Sequence, residues 1–334
     1  MDFYATLGDS CAKREMIDKL FRVGMTGARL NLSHTSLAQC APLLEELYWP
    51  AARAAGREDA HLILDLQGPE LRVGDLSHPV SLRQGAEILL GEGGVPVPSA
   101  ILLGAERGRQ ISIDDGALLL EVKRSSSTVL LCTVLRGGAL RSKKSLSLLG
   151  ADVDTPTLTP ADLENLALAE KFGVTHILQP FVRDRRDVIF LRQTLAEFGL
   201  EHVQIMAKIE NHQGCDNLDE IMAETDQVCI ARGDLGNSMP LWKLPRLQKD
   251  IARRCREAGK PFCLVTQLLW SMEHRPIPTR AEVCDIYNGV LDGASSLMLT
   301  GETAAGKWPV QAMDYLVKTA NEALKAEAFS QRPS

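Results

Sequence analysis

The sequence predicts an α/β fold: a barrel of eight parallel strands alternating with helices, with a small all-β lid domain inserted after the third strand. Short apolar runs of strand length alternate with segments of helical periodicity in both halves of the chain. Between the halves the helical period disappears, and β-like runs are separated by turn signals such as residues 114–116. Eight strands and eight helices outside this insert favour a TIM (β/α)8 barrel over a doubly wound sheet.

The barrel strands are expected where short apolar runs stop at polar residues, with helices between them. Thr159 is a predicted N-cap, with Pro160 in the first helical turn, and Asp162 and Glu164 favour the positive end of this helix. The predicted strands are 3–7, 28–32, 61–65, 175–179, 203–208, 227–231, 262–266 and 295–300, and the main predicted helices are 37–55, 184–198, 213–223, 240–258, 279–290 and 309–325. The chain would thus consist of a barrel domain, residues 1–71 plus 155–334, and a β lid domain, residues 72–154.

The composition is ordinary for a globular protein and narrows the choice of partners. Hydrophobic residues make up 45% of the 334 residues and charged residues 24%. The net charge of -6 argues against non-specific nucleic-acid binding but not against an anion in a locally basic cleft. The eight cysteines form no C-x-x-C pair, so no zinc or redox motif is expected. Without a signal-peptide pattern or a long apolar run, we expect a cytoplasmic protein with no membrane partner.

Polar side chains follow the predicted strands and should meet at one end of the barrel. The carboxyl ends of the strands are where such barrels carry their chemistry. The apolar run 203–207 is followed at once by Lys208 and Glu210, which point to the same side at the period of a strand. The other strand ends add Arg29, Asn31, Ser33, His34, Asp65, Glu70, Arg72, Arg232, Gly233, Asp234, Thr266, Gln267 and Glu302.

These residue types fit metal-assisted chemistry on a phosphorylated or carboxylated substrate. Glu210 and Asp234 would offer two carboxylates to Mg²⁺ or Mn²⁺, and Mg²⁺ typically takes one or two from a protein. Lys208, Arg29 and Arg72 would supply the positive charge that phosphoryl transfer requires. Hard oxygens that could hold a monovalent cation come from Asn31, Ser33 and Asp65.

Each of these interpretations has a structural alternative. Lys208 and Glu210 could form a surface ion pair beyond the strand end. Arg29 could pair structurally with Asp65 or Glu302, and Glu302 could cap the next helix. Asp234, in the sequence Gly-Asp-Leu-Gly, could be a turn residue at the start of a helix. The functional interpretation gains weight because all these residues fall at one predicted end of the barrel.

Seven segments of the sequence resemble, in order, motifs of the pyruvate kinase family. They are 28–34 (ARLNLSH), 64–72 (LDLQGPELR), 207–211 (AKIEN), 231–236 (ARGDLG), 266–267 (TQ), 278–282 (PTRAE) and 300–303 (TGET). Segments 113–116 (IDDG) and 138–144 (GALRSKK) resemble the lid domain of that family. The resemblance covers nearly the whole chain and implies a short form with the barrel and lid domains but without the C-terminal domain.

The resemblance implies phosphoryl transfer between phosphoenolpyruvate and ADP, giving pyruvate and ATP. Lys208 would stabilise the phosphoryl group and the enolate, Arg29 would bind the phosphate, and Thr266 would line the protonation face. The implied substrate contacts are Ala231, Gly233, Asp234 and Thr266. The implied nucleotide contacts are His34, Arg72 and a lid lysine, which is Lys144 or its neighbour Lys143. The implied metal ligands are Glu210 and Asp234 for Mg²⁺ or Mn²⁺, and Asn31, Ser33, Asp65 and the carbonyl of Leu66 for K⁺. A homodimer is an open expectation.

The sequence departs from the family pattern at several positions, one of which, Asp9, is expected close to the nucleotide. Leu66 and Gln67 stand where Thr-Lys is usual, and Asp9 lies in a first turn that is usually Gly-Pro-Ala-Ser. Pro180 replaces a serine, and Trp270 replaces a small or acidic residue. These departures keep two alternatives open: a metal-enolate lyase, aldolase or decarboxylase acting on an oxo-acid at the same residues, and a non-catalytic paralogue that binds phosphoenolpyruvate.

Overall fold

The computed structural model describes residues 1–33, 35–114, 116–149, 153, 155–237 and 239–330. Eight parallel strands close into a barrel, which confirms the predicted fold class. In chain order they are β1 (Asp2–Thr6), β2 (Gly27–Asn31), β3 (His61–Asp65), β11 (His176–Gln179), β12 (Gln204–Ile209), β13 (Gln227–Ala231), β14 (Phe262–Val265) and β15 (Ser296–Leu299), and around the barrel the order is β1-β15-β14-β13-β12-β11-β3-β2.

The interior of the barrel is filled by alternate side chains of these strands, since successive residues of a strand point to opposite faces. The buried cluster at its centre consists of Tyr4, Ile63, Leu178, Met206, Cys229, Ala231, Cys263, Val265 and Met298. Two neighbours in the cluster, Cys229 and Cys263, lie opposite each other on β13 and β14. The contact with Cys263 and complete burial raise the pKa of the Cys229 thiol well above its ordinary value. This side chain therefore packs as a small neutral core residue.

Helices follow the barrel strands, as the periodicity predicts. They are α1 (Arg14–Arg22), α2 (Trp49–Ala54), α4 (Pro160–Leu166), α5 (Arg185–Glu197), α6 (His212–Asp216), α7 (Leu218–Glu224), α8 (Arg232–Asn237), α9 (Leu244–Glu257), α10 (Arg280–Leu291), α11 (Gly301–Ala304) and α12 (Pro309–Ser330). Helix α4 begins with the predicted cap: the Thr159 hydroxyl accepts the N–H of Asp162, whose carboxylate accepts the N–H of Thr159.

Three predicted helices are interrupted or change their helical type. The helix expected at 37–55 is a π-helical turn, Leu43–Tyr48, followed by α2; Pro50 lacks the N–H that would bond the preceding turn. The helix expected at 213–223 is divided into α6 and α7 at Asn217. The helix expected at 240–258 starts as a 3₁₀ turn, Leu241–Lys243, before α9. A further 3₁₀ turn, Trp270–Glu273, follows β14.

The insert after β3 contains antiparallel sheets. Its strands are β4 (Val80–Leu82), β5 (Glu87–Gly91), β6 (Gln110–Ile113), β7 (Leu118–Ser125), β8 (Val129–Arg136), β9 (Gly138–Leu140) and β10 (Leu146–Leu148), which form one sheet in the order β10-β6-β7-β8-β5 and a second, β4-β9. One short helix, α3 (Ser99–Gly104), was not predicted. A separate hydrophobic core that includes Ile111, Leu120 and Leu130 supports these sheets.

The chain divides into two compact units. The first contains Met1–Gly68, Leu158–Gly233 and Pro245–Ser334, and the second contains Pro69–Thr157 and Asp234–Leu244. The boundaries that we predicted for the lid, 72–154, stay a prediction, and residue 154 lies outside the described residues. Within the described ranges, none of the helices has both the length and the apolar character needed to cross a bilayer.

Candidate active site

Four charged side chains form an alternating series at the carboxyl ends of β2, β3 and β12. Arg29 donates from Nε (2.9 Å) and Nη2 (2.5 Å) to Oδ2 of Asp65, and from Nη1 to the Thr6 hydroxyl at 2.9 Å. Lys208 Nζ lies 3.5 Å from Oδ1 of Asp65 and 3.3 Å from Oε2 of Glu210. Cation and anion thus alternate from Arg29 to Glu210 within the barrel unit.

Strand geometry places these side chains together. Lys208 follows Met206 at a spacing of two, so both point into the barrel, and Glu210 lies just beyond the end of β12. In β3, Asp65 follows the inward-facing Ile63 in the same way. Because the strands are parallel, their carboxyl ends meet at one side of the barrel. The structure therefore brings together four of the residues that the sequence analysis singled out.

Burial makes the pairing of these charges important. Asp65 is 3% exposed and Glu210 is 2% exposed. Removing one partner of a buried ion pair commonly costs about 3–5 kcal/mol, because the other charge is left uncompensated. Within the described residues, Oδ1 of Asp65 accepts no hydrogen bond although Lys208 lies near it. That oxygen is an available acceptor for a water molecule or a ligand.

Backbone groups also hold Glu210. The N–H of Phe181, which follows β11, donates to Oε1 of Glu210 at 2.7 Å. Phe181 has a φ of 54°, an uncommon conformation for a non-glycine residue. One carboxylate oxygen of Glu210 thus faces a backbone amide and the other faces Lys208. The two contacts fix the carboxylate plane at the end of β12.

The segment after β14 has an unusual backbone. Thr266 has a φ of 75° and Gln267 a φ of 55°, and such left-handed residues cost on the order of 1–3 kcal/mol each. The Thr266 carbonyl accepts two hydrogen bonds from Arg232, which also donates to Asp285. Backbone strain of this kind clusters at functional sites. Arg232 appeared in the sequence analysis only as a member of a motif, without a role.

Glu302 joins the segments that follow β14 and β15. It is 1% exposed; Oε1 accepts the N–H of Leu269 at 3.0 Å, and Oε2 accepts the N–H (2.8 Å) and hydroxyl (3.2 Å) of Thr300. Glu302 lies within α11, where its bond to the Thr300 N–H joins the start of this helix to the segment after β14. Burial, and then the charge of Glu302, raise the pKa of Glu273 nearby. The structural alternative in which Arg29 pairs with Glu302 does not hold, since Arg29 pairs with Asp65.

The four residues predicted to hold K⁺ lie close together at the ends of β2 and β3. Asn31 is the register partner of Asp65, and its Oδ1 accepts the N–H of Ser33 at 3.2 Å. The N–H of Leu66 donates to the carbonyl of Leu178. Oδ2 of Asp65 bonds Arg29, while Oδ1 accepts no hydrogen bond from a described residue. This donor set of hard oxygens fits a monovalent cation.

One residue that the sequence analysis undervalued fixes the turn after β3. The Asp162 carboxylate is fully buried and accepts the N–H groups of Gln67 at 2.9 Å and Gly68 at 3.1 Å in addition to its capping bonds. Gly68 has a φ of 59°, and a Cβ there would lie 2.4 Å from Cγ of Pro180. The capping pattern revealed Asp162, but no local signal reveals its reach across 95 residues.

The predicted nucleotide-contacting cations belong to the second unit. Arg72 pairs with Glu70 at 2.5 Å and donates to the carbonyl of Lys143 at 2.7 Å, while Lys144 pairs with Asp114 at 2.8 Å. The N–H of Val73 donates to the carbonyl of Lys144, so the two segments run side by side. The structure thus brings Arg72 and Lys144 onto neighbouring segments. The third predicted nucleotide residue, His34, lies outside the described residues.

The two residues predicted to hold a divalent ion belong to different units. Glu210 belongs to the barrel unit, and Asp234, which is exposed, belongs to the second unit. The described residues contain no group of three or more His, Cys, Asp or Glu that could hold a metal. A zinc-type site is therefore not indicated among them, whereas Mg²⁺ typically needs only one or two protein carboxylates. The buried, oriented carboxylate of Glu210 fits that requirement.

Comparisons with known proteins agree with this geometry. The family model described as "Pyruvate kinase, barrel domain" matches residues 2–313. The chain is 36% identical to the pyruvate kinase of Staphylococcus saprophyticus, over 97% of this chain and 56% of that protein. It is 36% identical to the Aeropyrum pernix pyruvate kinase (98% and 71%) and 38% identical to the Chlamydia pneumoniae pyruvate kinase (92% and 65%).

The chain thus spans little more than half the length of some of these relatives. The match nevertheless covers nearly all of this chain and includes every barrel strand. The closed barrel, the insert after β3 and the family match all agree. The chain belongs to the pyruvate kinase family.

Proposed function

We propose that this chain catalyses Mg²⁺-dependent phosphoryl transfer between phosphoenolpyruvate and ADP, giving pyruvate and ATP. The observation that carries the proposal is the position of Lys208 between two buried carboxylates, Asp65 and Glu210, with Arg29 on the far side of Asp65. Relatives named pyruvate kinase support the same reaction, and because the chain covers only part of their length, the activity is a proposal for this chain.

Lys208 and Arg29 would bind and neutralise the substrate. Both are already oriented by Asp65, so little reorganisation is needed when the phosphate arrives. In the transfer, the bond between phosphorus and the enol oxygen breaks, and a bond forms to an oxygen of the ADP β-phosphate. The Lys208 ammonium would stabilise the charge that develops on the enol oxygen. The enolate then takes a proton from a water molecule at its methylene carbon, on the side of Thr266.

The residues present also suit the ions that the family resemblance implies. Bound Mg²⁺ would neutralise charge on phosphate and enolate oxygens. Glu210 would hold this ion, with Asp234 as a second ligand. Asn31, Ser33 and Asp65, with the carbonyl of Leu66, would hold K⁺. The predicted substrate contacts at Ala231 and Gly233 lie at the end of β13, on the same side of the barrel as Lys208.

A ligand panel tests the proposal. The purified protein is incubated with phosphoenolpyruvate, Mg²⁺ and K⁺, and with ADP, GDP, UDP or no nucleotide, and pyruvate is measured. We expect pyruvate formation to require a nucleoside diphosphate, and replacing Mg²⁺ by EDTA to abolish it. If pyruvate does not form with any nucleotide in a correctly folded sample, the proposal is wrong. Thermal stabilisation by phosphoenolpyruvate without turnover would instead favour the non-catalytic paralogue.

A second candidate is a metal-enolate decarboxylase acting on an oxo-acid. It is favoured by one observation: Arg72 and Lys144, the predicted nucleotide contacts, are both engaged by carboxylates of their own unit. Stabilising an enolate needs Lys208 and a metal but no nucleotide. Oxaloacetate decarboxylation in the absence of nucleotide, together with no ADP-dependent turnover of phosphoenolpyruvate, would support this candidate over the first.

A further inference from the structure

Arg232 is a half-buried cation immediately after β13, and the chemistry described above does not use it. Its guanidinium donates two hydrogen bonds to the carbonyl oxygen of Thr266, from Nε at 3.1 Å and from Nη2 at 2.6 Å. Nη1 donates to Oδ2 of Asp285 on α10 at 2.5 Å. The Arg232 side chain is only 12% exposed. The planar guanidinium therefore joins a backbone oxygen to a carboxylate and has little freedom to rotate.

The carbonyl that Arg232 contacts lies within the left-handed segment. Thr266 and Gln267 both have positive φ, and a β-branched residue such as Thr266 rarely adopts that conformation. A strained conformation persists only where its surroundings hold it. Since the Thr266 carbonyl lies in the peptide plane between these two residues, charge-assisted hydrogen bonds to its oxygen fix that plane.

The side chain of Thr266 is in turn placed against the residue that follows Arg232. A Cβ added to Gly233 would lie 3.3 Å from Cγ2 and 3.8 Å from Oγ1 of Thr266. Arg232 thus contacts Thr266 through the carbonyl, and the Thr266 side chain, with Cγ2 nearest, lies beside Gly233. These two contacts, on opposite parts of one residue, restrict where the hydroxyl can point.

We infer that Arg232, held by Asp285, is a positioning residue that keeps the Thr266 hydroxyl in the orientation needed for proton transfer. The inference rests on the proposed function, in which the enolate is protonated on the side of Thr266. Arg232 acts only through Thr266 and does not bind the substrate. Proton transfer requires its groups to be within hydrogen-bond reach, so a shift of the Thr266 hydroxyl slows proton transfer more than substrate binding.

The variants Arg232→Gln, Arg232→Lys and Asp285→Asn test the role. The matched control is Arg192→Gln: Nη2 of Arg192 donates to the Glu224 carbonyl at 3.0 Å and to Asp226 at 2.9 Å, away from the carboxyl ends of the strands. Two quantities are measured: kcat and KM for phosphoenolpyruvate, and exchange of pyruvate methyl hydrogens with deuterium from the solvent. The exchange reports proton transfer without any nucleotide.

We expect Arg232→Gln to lower kcat and the exchange rate together by about 100-fold, with KM nearly unchanged, because the hydroxyl is misplaced. Arg232→Lys should fall between wild type and Arg232→Gln, since a single ammonium cannot reproduce both planar hydrogen bonds. Arg192→Gln should lower the melting temperature but change neither rate. Unchanged exchange in Arg232→Gln, or an equal loss in Arg192→Gln, would overturn the inference.

Crystal structures of the wild type and of Arg232→Gln provide a test that needs no turnover. Without the guanidinium, we expect the peptide between Thr266 and Gln267 to rotate and the Thr266 hydroxyl to leave Gly233. An unchanged φ and hydroxyl position would overturn the inference. Failure of the proposed function has a different signature, since the wild type would then form no pyruvate from phosphoenolpyruvate and ADP, while the two structures still decide the role of Arg232.

Discussion

The two ends of the barrel strands carry different kinds of polar groups. At the amino ends, the Tyr4 hydroxyl contacts Nδ1 of His61 at 3.0 Å, and the Thr175 hydroxyl contacts Nδ1 of His176 at 2.7 Å. The two imidazole rings lie 4.6 Å apart. Burial, and then His61, lower the pKa of His176 to about 4, so this ring is neutral near pH 7. At the amino ends, the interior of the barrel is thus lined by hydroxyl and imidazole groups, and the ion pair of Asp226 with Arg192 is partly exposed.

The carboxyl ends hold ion-paired side chains and a backbone that is strained. Arg29, Asp65, Lys208 and Glu210 are buried or nearly so, and Thr266 has a left-handed conformation. Such an arrangement lowers the free energy of unfolding, and proteins commonly keep it where function requires it. The difference indicates that substitutions at the carboxyl ends should affect turnover first, whereas substitutions at the amino ends should affect stability first.

The largest effect is expected for Glu210→Gln. The amide can still accept the Phe181 N–H, but it carries no charge for a metal or for Lys208. We expect turnover to fall by about 10³-fold, the loss typical when a group stabilising developing charge is removed. Asp226→Asn is the control at the other end, where Asp226 pairs with Arg192. Asp226→Asn should lower the melting temperature and leave turnover unchanged. If Asp226→Asn abolished turnover while Glu210→Gln kept it, the difference between the two ends of the barrel would be refuted.

A smaller effect on both properties is expected for Glu302→Gln. The new amide group would face a backbone N–H that the carboxylate now accepts, either at Leu269 or at Thr300. A buried unsatisfied donor costs about 1–3 kcal/mol, so the free energy of unfolding should drop by that amount in urea titrations. Turnover should fall as well, because Glu302 joins the segments at Leu269 and Thr300. These segments follow β14 and β15 at the carboxyl ends of the strands, where the candidate active site lies. Glu322→Gln on the exposed side of α12 should change neither quantity.

Acid should destabilise the amino ends through His176. The pKa of His176 is about 4 in the folded protein, whereas its ordinary value, 6.5, applies to the unfolded chain. Between these two pH values the unfolded chain therefore binds more protons than the folded protein. The free energy of unfolding should therefore fall as the pH drops through this window, by roughly 3 kcal/mol from this group. His176→Gln should remove that part of the fall. His61, Asp2 and Asp226 also contribute to its surroundings, and a pH dependence identical in wild type and variant would refute the role of His176.

The smallest effect is expected for Thr159→Ala, which removes the N-cap of α4. Loss of such a cap typically costs about 1 kcal/mol, measured as a shift of the urea midpoint. Thr279→Ala, at the equivalent capping box of α10, is the matched comparison and should behave similarly. If Thr159→Ala changed turnover much more than Thr279→Ala, the cap would also be positioning the turn that Asp162 holds.

The barrel could be predicted from sequence because its signals are local. Apolar runs define β3 and β13 to the residue, and the Thr159 cap is visible in four consecutive residues. The gathering of Asp65, Lys208 and Glu210 followed from strand order alone. The roles assigned to these residues stay predictions.

Other features could not be predicted because they depend on contacts between distant segments. Asp162 reaches Gln67 across 95 residues, and Arg232 reaches Thr266 across 34. Nothing in the sequence around Thr266 suggests a positive φ, since threonine disfavours it. The positive φ of Thr266 is imposed by contacts in the folded protein. The pairing of Arg29 with Asp65 rather than with Glu302 likewise depends on the fold.

The most direct test of the central claim is pyruvate formation by Lys208→Met with phosphoenolpyruvate, ADP and Mg²⁺. Lys171→Met is the control, because Lys171 is an exposed lysine that pairs with Glu45. The account predicts that Lys208→Met loses ADP-dependent turnover by at least about 10³-fold, while Mn²⁺ still binds and the control keeps full activity. Unchanged turnover in a folded Lys208→Met protein would contradict the assignment of Lys208 as the group that stabilises the transfer.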